Sequence, residues 1–153
     1  MNLLHIDVEG GWGGSSISLF EIVKKLKGTT HKSYVVCRRQ GPIQKKYKKE
    51  SIEFYLEKRL YSYIPRKKGK NFKNFLGSFF QLFLFPLGIL NLIKIINKNK
   101  IDIIHLNYEG FFLLGFFLKF FTKKPIIFHV RTQFPENNFI CKLIVKLIDK
   151  YIA

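Results

Sequence analysis

The sequence predicts an α/β fold, a parallel sheet covered by helices on both faces, and three observations carry that expectation. Short β-branched runs alternate with segments of helical periodicity along the whole chain. A glycine-rich turn, EGGWGGSS at 9–16, separates the first apolar run from the first helical segment. Three runs turn polar at the same end: His5 and Asp7, His105 and Asn107, His129 and Arg131 are each spaced by two, so each pair shares one side of its strand. Such alternation implies right-handed crossovers and a Rossmann-like sheet, whose ligands collect beyond the carboxyl ends of the strands.

Taken in order, the first strand is read at 2–8 and the first helix at 16–27, with Gly28 where a C-cap glycine belongs. A second strand follows at 31–37 and a weaker one at 52–56. The basic runs QKKYKK at 44–49 and RKKGKNFK at 66–73 read either as solvated loops or as cations facing an anionic leaflet, worth about 1 kcal/mol per Lys or Arg there. A long helix at 72–98, a strand at 101–107, a helix at 110–121, a strand at 125–131 and a helix at 137–152 complete the reading.

The long helix raises the question of a membrane. Its segment 75–93 contains no charged residue and, at about 19 residues, is long enough to span a bilayer. Against that, Asn74, Gly77, Ser78, Gln81, Gly88, Asn91, Lys94 and Lys98 recur near helical spacing as a polar stripe, and Pro86 interrupts the middle. A span would also put the strands before and after it on opposite sides of the membrane, where they could not join one sheet. The expectation is an amphipathic helix, kinked at Pro86, that packs on the sheet and leaves some apolar surface for lipid.

A chain of 153 residues with 47% hydrophobic content fits one domain, 1–153. The formal net charge of +17 points to phosphate-bearing partners, although lysine far outnumbers arginine and much of the charge fits solvated faces. Cys37 and Cys141 form no metal or redox motif, and Asp7 and Glu9 interrupt the N-terminal apolar run too early for a signal peptide. The reading is a reducing, cytoplasmic setting, without a metal site.

The glycine turn fails three familiar templates. Gly11 and Gly13 match the start of GxGxxG but Ser16 stands where the third glycine belongs, and Arg38 and Arg39 occupy the place of the acidic ribose partner. No Gly-Lys-Ser or Gly-Lys-Thr follows, and Gly14-Ser15-Ser16-Ile17-Ser18 lacks the closing glycine of GxSxG. What stays is physical: side-chain-free backbone at a helix N-terminus lets N–H groups approach an anion or a polar ring, with about half a positive charge behind them.

The pieces LLHIDVEGGWGGSSISLFEIVKKL, DIIHLNYEGFFLLGFFLKF and KPIIFHVR, in that order, resemble the N-terminal domain of family-four glycosyltransferases of the GT-B type, over nearly the whole chain. The resemblance implies the acceptor-side half of a two-domain enzyme that retains anomeric configuration, needs no metal or other cofactor, and uses a nucleotide-sugar as co-substrate. Gly13 and Gly14 match the family's glycine turn near donor phosphate or sugar, and His129 matches a histidine that contacts the transferred sugar. The second domain, with its paired glutamates, is not among these residues, so the chain reads as a half that is inactive alone, completed by a further domain or a separate chain.

Other candidates come from the residues themselves. Arg131 lies beside His129 and reads as a contact to donor phosphate or acceptor; Trp12, at the turn's tip, as a ring that stacks on sugar or covers the first helix. Glu9, Asn107 and Glu109 are candidates for acceptor hydroxyls, with capping and turn roles as the plainer alternative. His5 and His105 read more readily as core histidines than as ligands. The expected setting is the inner face of a membrane, with an anionic surface and a lipid-linked or polysaccharide acceptor in cell-surface polysaccharide or glycolipid synthesis, and no specific nucleic acid. Two rivals are a basic, non-catalytic module for membrane or nucleic acid and, more weakly, an oxidoreductase fragment.

Overall fold

The computed structural model describes residues 1–8, 10–11, 13–62, 72–130 and 146, and for 72–79 the backbone alone. Within these residues the order is β1 (Asn2–Asp7), α1 (Gly14–Leu26), β2 (Lys32–Cys37), α2 (Ile43–Lys49), β3 (Glu53–Leu56), α3 (Phe72–Lys98), β4 (Ile103–Leu106), a 3₁₀ turn (Glu109–Phe111), α4 (Phe112–Thr122) and β5 (Ile126–Phe128). The strands form one parallel sheet in the order β3-β2-β1-β4-β5. The alternation read from the sequence is thus the architecture found, including the weak strand at 52–56.

Strand alternation divides the core in two. Leu4, Ile6, Tyr34, Val36, Ile104 and Leu106 point to one face, where Phe85, Ile89, Leu92 and Ile96 of α3 and Leu114 and Leu118 of α4 cover them. Val35 and Cys37 point to the other, against Leu19, Phe20 and Val23 of α1 and Ile43 and Tyr47 of α2. Helices therefore lie on both faces.

Several boundaries differ from the sequence reading. The run at 44–49 is helix α2 rather than a loop, because Ile43, Gln44 and Tyr47 fall on one side of it and are buried while the lysines face water. Helix α1 begins at Gly14 and has Lys27 as its C-cap in a right-handed conformation; Gly28 lies beyond it, and no described glycine has positive φ. Left-handed residues instead follow α2, α3 and α4, where Ser51, Lys100 and Lys123 have φ of 53°, 49° and 55°. The last strand is shorter than the run at 125–131, and the helix expected at 137–152 lies outside the described residues apart from Lys146, which is helical.

Helix α3 continues through Pro86 without ending. Its segment Phe80–Lys98 has a mean hydropathy of 1.6 and is long and apolar enough to cross a membrane, with one third of it (33%) buried in the protein. Yet it connects β3 to β4, two strands of one sheet, and contributes its buried side to that sheet's core. Glu57, after β3, fastens it further: one carboxylate oxygen accepts from Arg59 and Asn91 at 2.7 and 2.6 Å. Gly88 lets the helix approach the Arg59 backbone, where a Cβ would stand 3.2 Å from the carbonyl.

Candidate functional site

The strand order places a topological switch point between β1 and β4. From β1 the chain winds outward through α1 and α2 to β2 and β3, then returns through α3 to β4 on the other side of β1. The carboxyl ends of β1 and β4 therefore send their connections to opposite faces and leave a crevice between them. Pairing of Ile6 with Leu106 and of Leu106 with Phe128 brings Asp7, Asn107 and His129 into one row at this rim. The ladder carries on there: Asn107 N–H donates to Ile6 O and His129 N–H to Leu106 O, both at 2.9 Å. His129 is thus level with Asp7 and Asn107, one step beyond the His5 and His105 level.

Asp7 is the hub of the rim. Its Oδ2 accepts from Ser16 Oγ at 2.7 Å and its Oδ1 from Asn107 Nδ2 at 3.0 Å. Asn107 Nδ2 also reaches Ser15 O at 3.3 Å. All three side chains in this network are buried, so β1, β4 and the first turn of α1 are tied together without water. The Asp7 carboxylate also sits by the positive end of the α1 dipole, in a first turn that has no acid of its own.

The glycines of the turn divide into two kinds. At Gly10 an added Cβ would stand 2.1 Å from Arg39 O, and at Gly41 one would stand 1.9 Å from Gly10 O. These two form a reciprocal backbone contact between the β1–α1 and β2–α2 loops, which Ile43 N–H joins by donating to Gly10 O at 3.4 Å; on the second loop's own side Gln44 accepts from Gly41 N–H at 3.1 Å and donates to Arg39 O at 2.8 Å. Gly14 is different: it is exposed and a Cβ there would meet nothing within 4 Å. The N-cap, Gly13, is extended and supplies no side-chain bond. Among the described residues of the turn, Gly14 presents open backbone at the helix N-terminus.

Behind the rim His5 and His105 face each other across β1 and β4, with His129 at the rim beside them. His5 Nδ1 and His105 Nδ1 are 3.0 Å apart, one donating and one accepting, and His5 Nε2 is 3.4 Å from Ser33 Oγ on β2. The His105 and His129 rings follow with centroids 5.8 Å apart. Burial, helped by the neighbouring His105, pushes the His5 pKa down from 6.5 to about 3, so this imidazole is neutral. A neutral imidazole donates through one nitrogen and accepts through the other, which fits His5 between His105 and Ser33.

Of the residues singled out from the sequence, Gly13, Gly14, Asn107, Glu109 and His129 all lie at this edge. Asn107 is fully buried and its amide braces Asp7 and Ser15; Glu109, 1% exposed, opens the 3₁₀ turn that follows β4. His129 is half-buried beside His105. Glu9, Trp12 and Arg131 fall outside the described residues. Sequence reasoning did not assign Ser16 or Ser33 to the site, nor see that Gly10 and Gly41 meet, because those contacts join separate elements.

The family model of Glycosyltransferase Family 4 matches residues 12–153. Among curated proteins none matches. Among solved structures, Anabaena Alr3699/HepE in complex with UDP-glucose superposes with a TM-score of 0.68 at 18% identity, over 100% of this chain and 36% of that one. MurG of Acinetobacter baumannii gives 0.63 at 12%, over 95% of this chain and 39% of that one. A glycosyltransferase from Rickettsia africae gives 0.51 at 20%, over 88% and 31%. The chain thus spans about a third of the length of the proteins it resembles, 31–39%.

Proposed function

The chain belongs to glycosyltransferase family 4, and from that premise we propose that it is the N-terminal, acceptor-binding half of a retaining, metal-independent transferase that takes sugar from a nucleotide-sugar. The observation that carries this reading is the switch-point crevice with an uncapped α1 N-terminus beside it and open space at Gly14. An α-helix N-terminus with bare backbone favours a phosphate. That HepE is solved with UDP-glucose supports a donor of this class, and a match over 36% of that chain suits the reading of this chain as one half of such an enzyme. In this reading Gly13 and Gly14 approach donor phosphate or sugar and His129 touches the transferred sugar. Arg131 meets donor phosphate, and Glu9, Trp12, Asn107 and Glu109 lie toward the acceptor.

The test joins the chain to a family-four C-terminal domain, in one polypeptide or as two chains. Sugar transfer or donor hydrolysis is the expected result, and its absence with every nucleotide-sugar tried sinks the reading. In the active pair Gly14→Trp should lower turnover at least a hundredfold while leaving the thermal midpoint of the domain within a few degrees, since the new side chain points into open space. Unchanged turnover would remove donor phosphate from this turn.

The acceptor is proposed to be lipid-linked or a growing polysaccharide at the cytoplasmic face of an anionic membrane. Phe80, Phe83, Leu87 and Leu90 recur at three- and four-residue spacing along one side of α3, and Phe83 is 76% exposed. Phe116 and Phe120 are exposed on α4, which packs on the same sheet face, and Lys94, Lys119 and Lys123 extend these stripes. Apolar rings beside lysines suit the boundary between headgroup and acyl chain. Phe83→Ser with Phe120→Ser should weaken partition into phosphatidylglycerol vesicles about tenfold or more, since each buried ring contributes roughly 1.5–3 kcal/mol. The rival basic module would instead bind DNA or vesicles with steep salt dependence, and the ring substitutions would leave that binding unchanged.

A further inference from the structure

Arg38 stands one residue beyond β2, in the place where a dinucleotide fold would put an acid. Its N–H donates to Asp7 O at 3.0 Å, continuing the ladder to the rim. Following Tyr34 and Val36, its side chain is on the α3 face of the sheet, the face opposite α1 and the glycine turn. It is 5% exposed. One terminal nitrogen donates to Ser62 Oγ and the other to Gln81 Oε1 of α3, the latter at 2.7 Å. Both acceptors are neutral. Among the described residues no carboxylate pairs with this guanidinium; the buried Glu57 nearby in sequence is taken by Arg59 and Asn91.

A buried guanidinium held only by neutral oxygens is costly, because removal of a cation from water is offset fully only by an opposite charge. Burial, and then the adjacent Arg39, lower its proton affinity, with Tyr108 and Tyr61 opposing. A glutamate at position 81 would neutralise it with no change of length, yet the chain carries the amide. The planar fork has five N–H donors and matches a phosphate or carboxylate in bidentate geometry, and here two donors are occupied by groups that an oxyanion would outcompete.

We propose that Arg38, flanked by Ser62, Gln81 and Tyr108, is the binding site for an oxyanion of the acceptor, a phosphate or a carboxylate. This rests on the acceptor-side reading above, which assigns the donor diphosphate to α1 on the other face. The anion supplies the charge that no described carboxylate brings to this guanidinium, and Ser62 and Gln81 hold it in place until the anion arrives.

The test measures binding to the chain itself, by calorimetry, of phenyl phosphate, glucuronate and UDP. Gln81→Glu supplies an internal carboxylate and is expected to raise the thermal midpoint while weakening phenyl phosphate or glucuronate at least tenfold. Arg38→Gln should weaken the same ligand by a similar factor, and neither variant should change UDP affinity more than twofold. Preference for phenyl phosphate identifies a phosphorylated acceptor and preference for glucuronate an acidic sugar. The proposal is overturned if both variants leave the two acceptor probes unchanged, if only UDP is weakened, or if Gln81→Glu lowers the midpoint. Because the readout is binding to this chain, failure of the joined enzyme to transfer sugar is a separate result.

Discussion

Between pH 6.5 and 4.5 the fold is expected to lose about 2.5 kcal/mol of stability through His5 alone, a large part of the 5–15 kcal/mol typical of a domain. In the folded chain the pKa of His5 is lowered to about 3, first by burial and then by His105. In the unfolded chain it returns to about 6.5. Between these values the unfolded state binds the extra proton, so stability is fully present above about 6.5 and falls as the pH drops, by about 1.4 kcal/mol per unit. The carboxylates with lowered pKa, Glu50 through its bond to Lys24, and Glu57, where burial raises it but the bonds from Arg59 and Asn91 together outweigh burial, lose their contribution below their ordinary value of 4.5. The window above that belongs to the imidazole. Urea unfolding at stepped pH checks it: the native chain should show the slope and His5→Gln should flatten it. A flat profile in the native chain would mean that His5 is solvated or charged rather than buried and neutral.

Replacing either Gly10 or Gly41 by alanine should cost about 3 kcal/mol, whereas Gly14→Ala should be neutral or stabilising by several tenths. A Cβ at Gly10 would lie 2.1 Å from a backbone oxygen and at Gly41 1.9 Å from another, distances no flexible side chain can relieve because both neighbours are main chain. The two loops would have to part. Their separation would break the Ile43 N–H bond to Gly10 O and disturb Ile43 and Tyr47, which are fully buried. At Gly14 the added methyl meets nothing and replaces the poorest ordinary helix former in the first turn of α1. Urea midpoints of the three variants separate these outcomes. Equal effects at all three glycines would show that the turn has one role rather than two.

How much of this was legible beforehand differs by element. The strands were readable because a buried strand must be a short apolar run, and the rim was readable because His5 and Asp7, His105 and Asn107 keep the period of two. Helix α2 was hidden: QKKYKK looks solvated until Ile43, Gln44 and Tyr47 are seen to share one buried side. The glycines looked alike because EGGWGGSS is uniform in composition, and only the approach of the β2–α2 loop distinguishes Gly10 from Gly14. The contacts of Asn107 were hidden too, since its amide reaches Asp7 and Ser15 across the switch point.

The sequence by itself determined the α/β alternation, the helix-covered parallel sheet and the family, because these rest on periodicity and local order that each segment carries within itself. Only the tertiary structure decided which polar groups are free to meet a ligand and which are consumed. That depends on what two distant segments bring within 3 Å of each other: Gly41 against Gly10, His105 against His5, Asn107 against Asp7, Gln81 against Arg38. Hydrogen bonds and steric contacts fall off over a few tenths of an ångström, and no pattern along the chain encodes a distance across it.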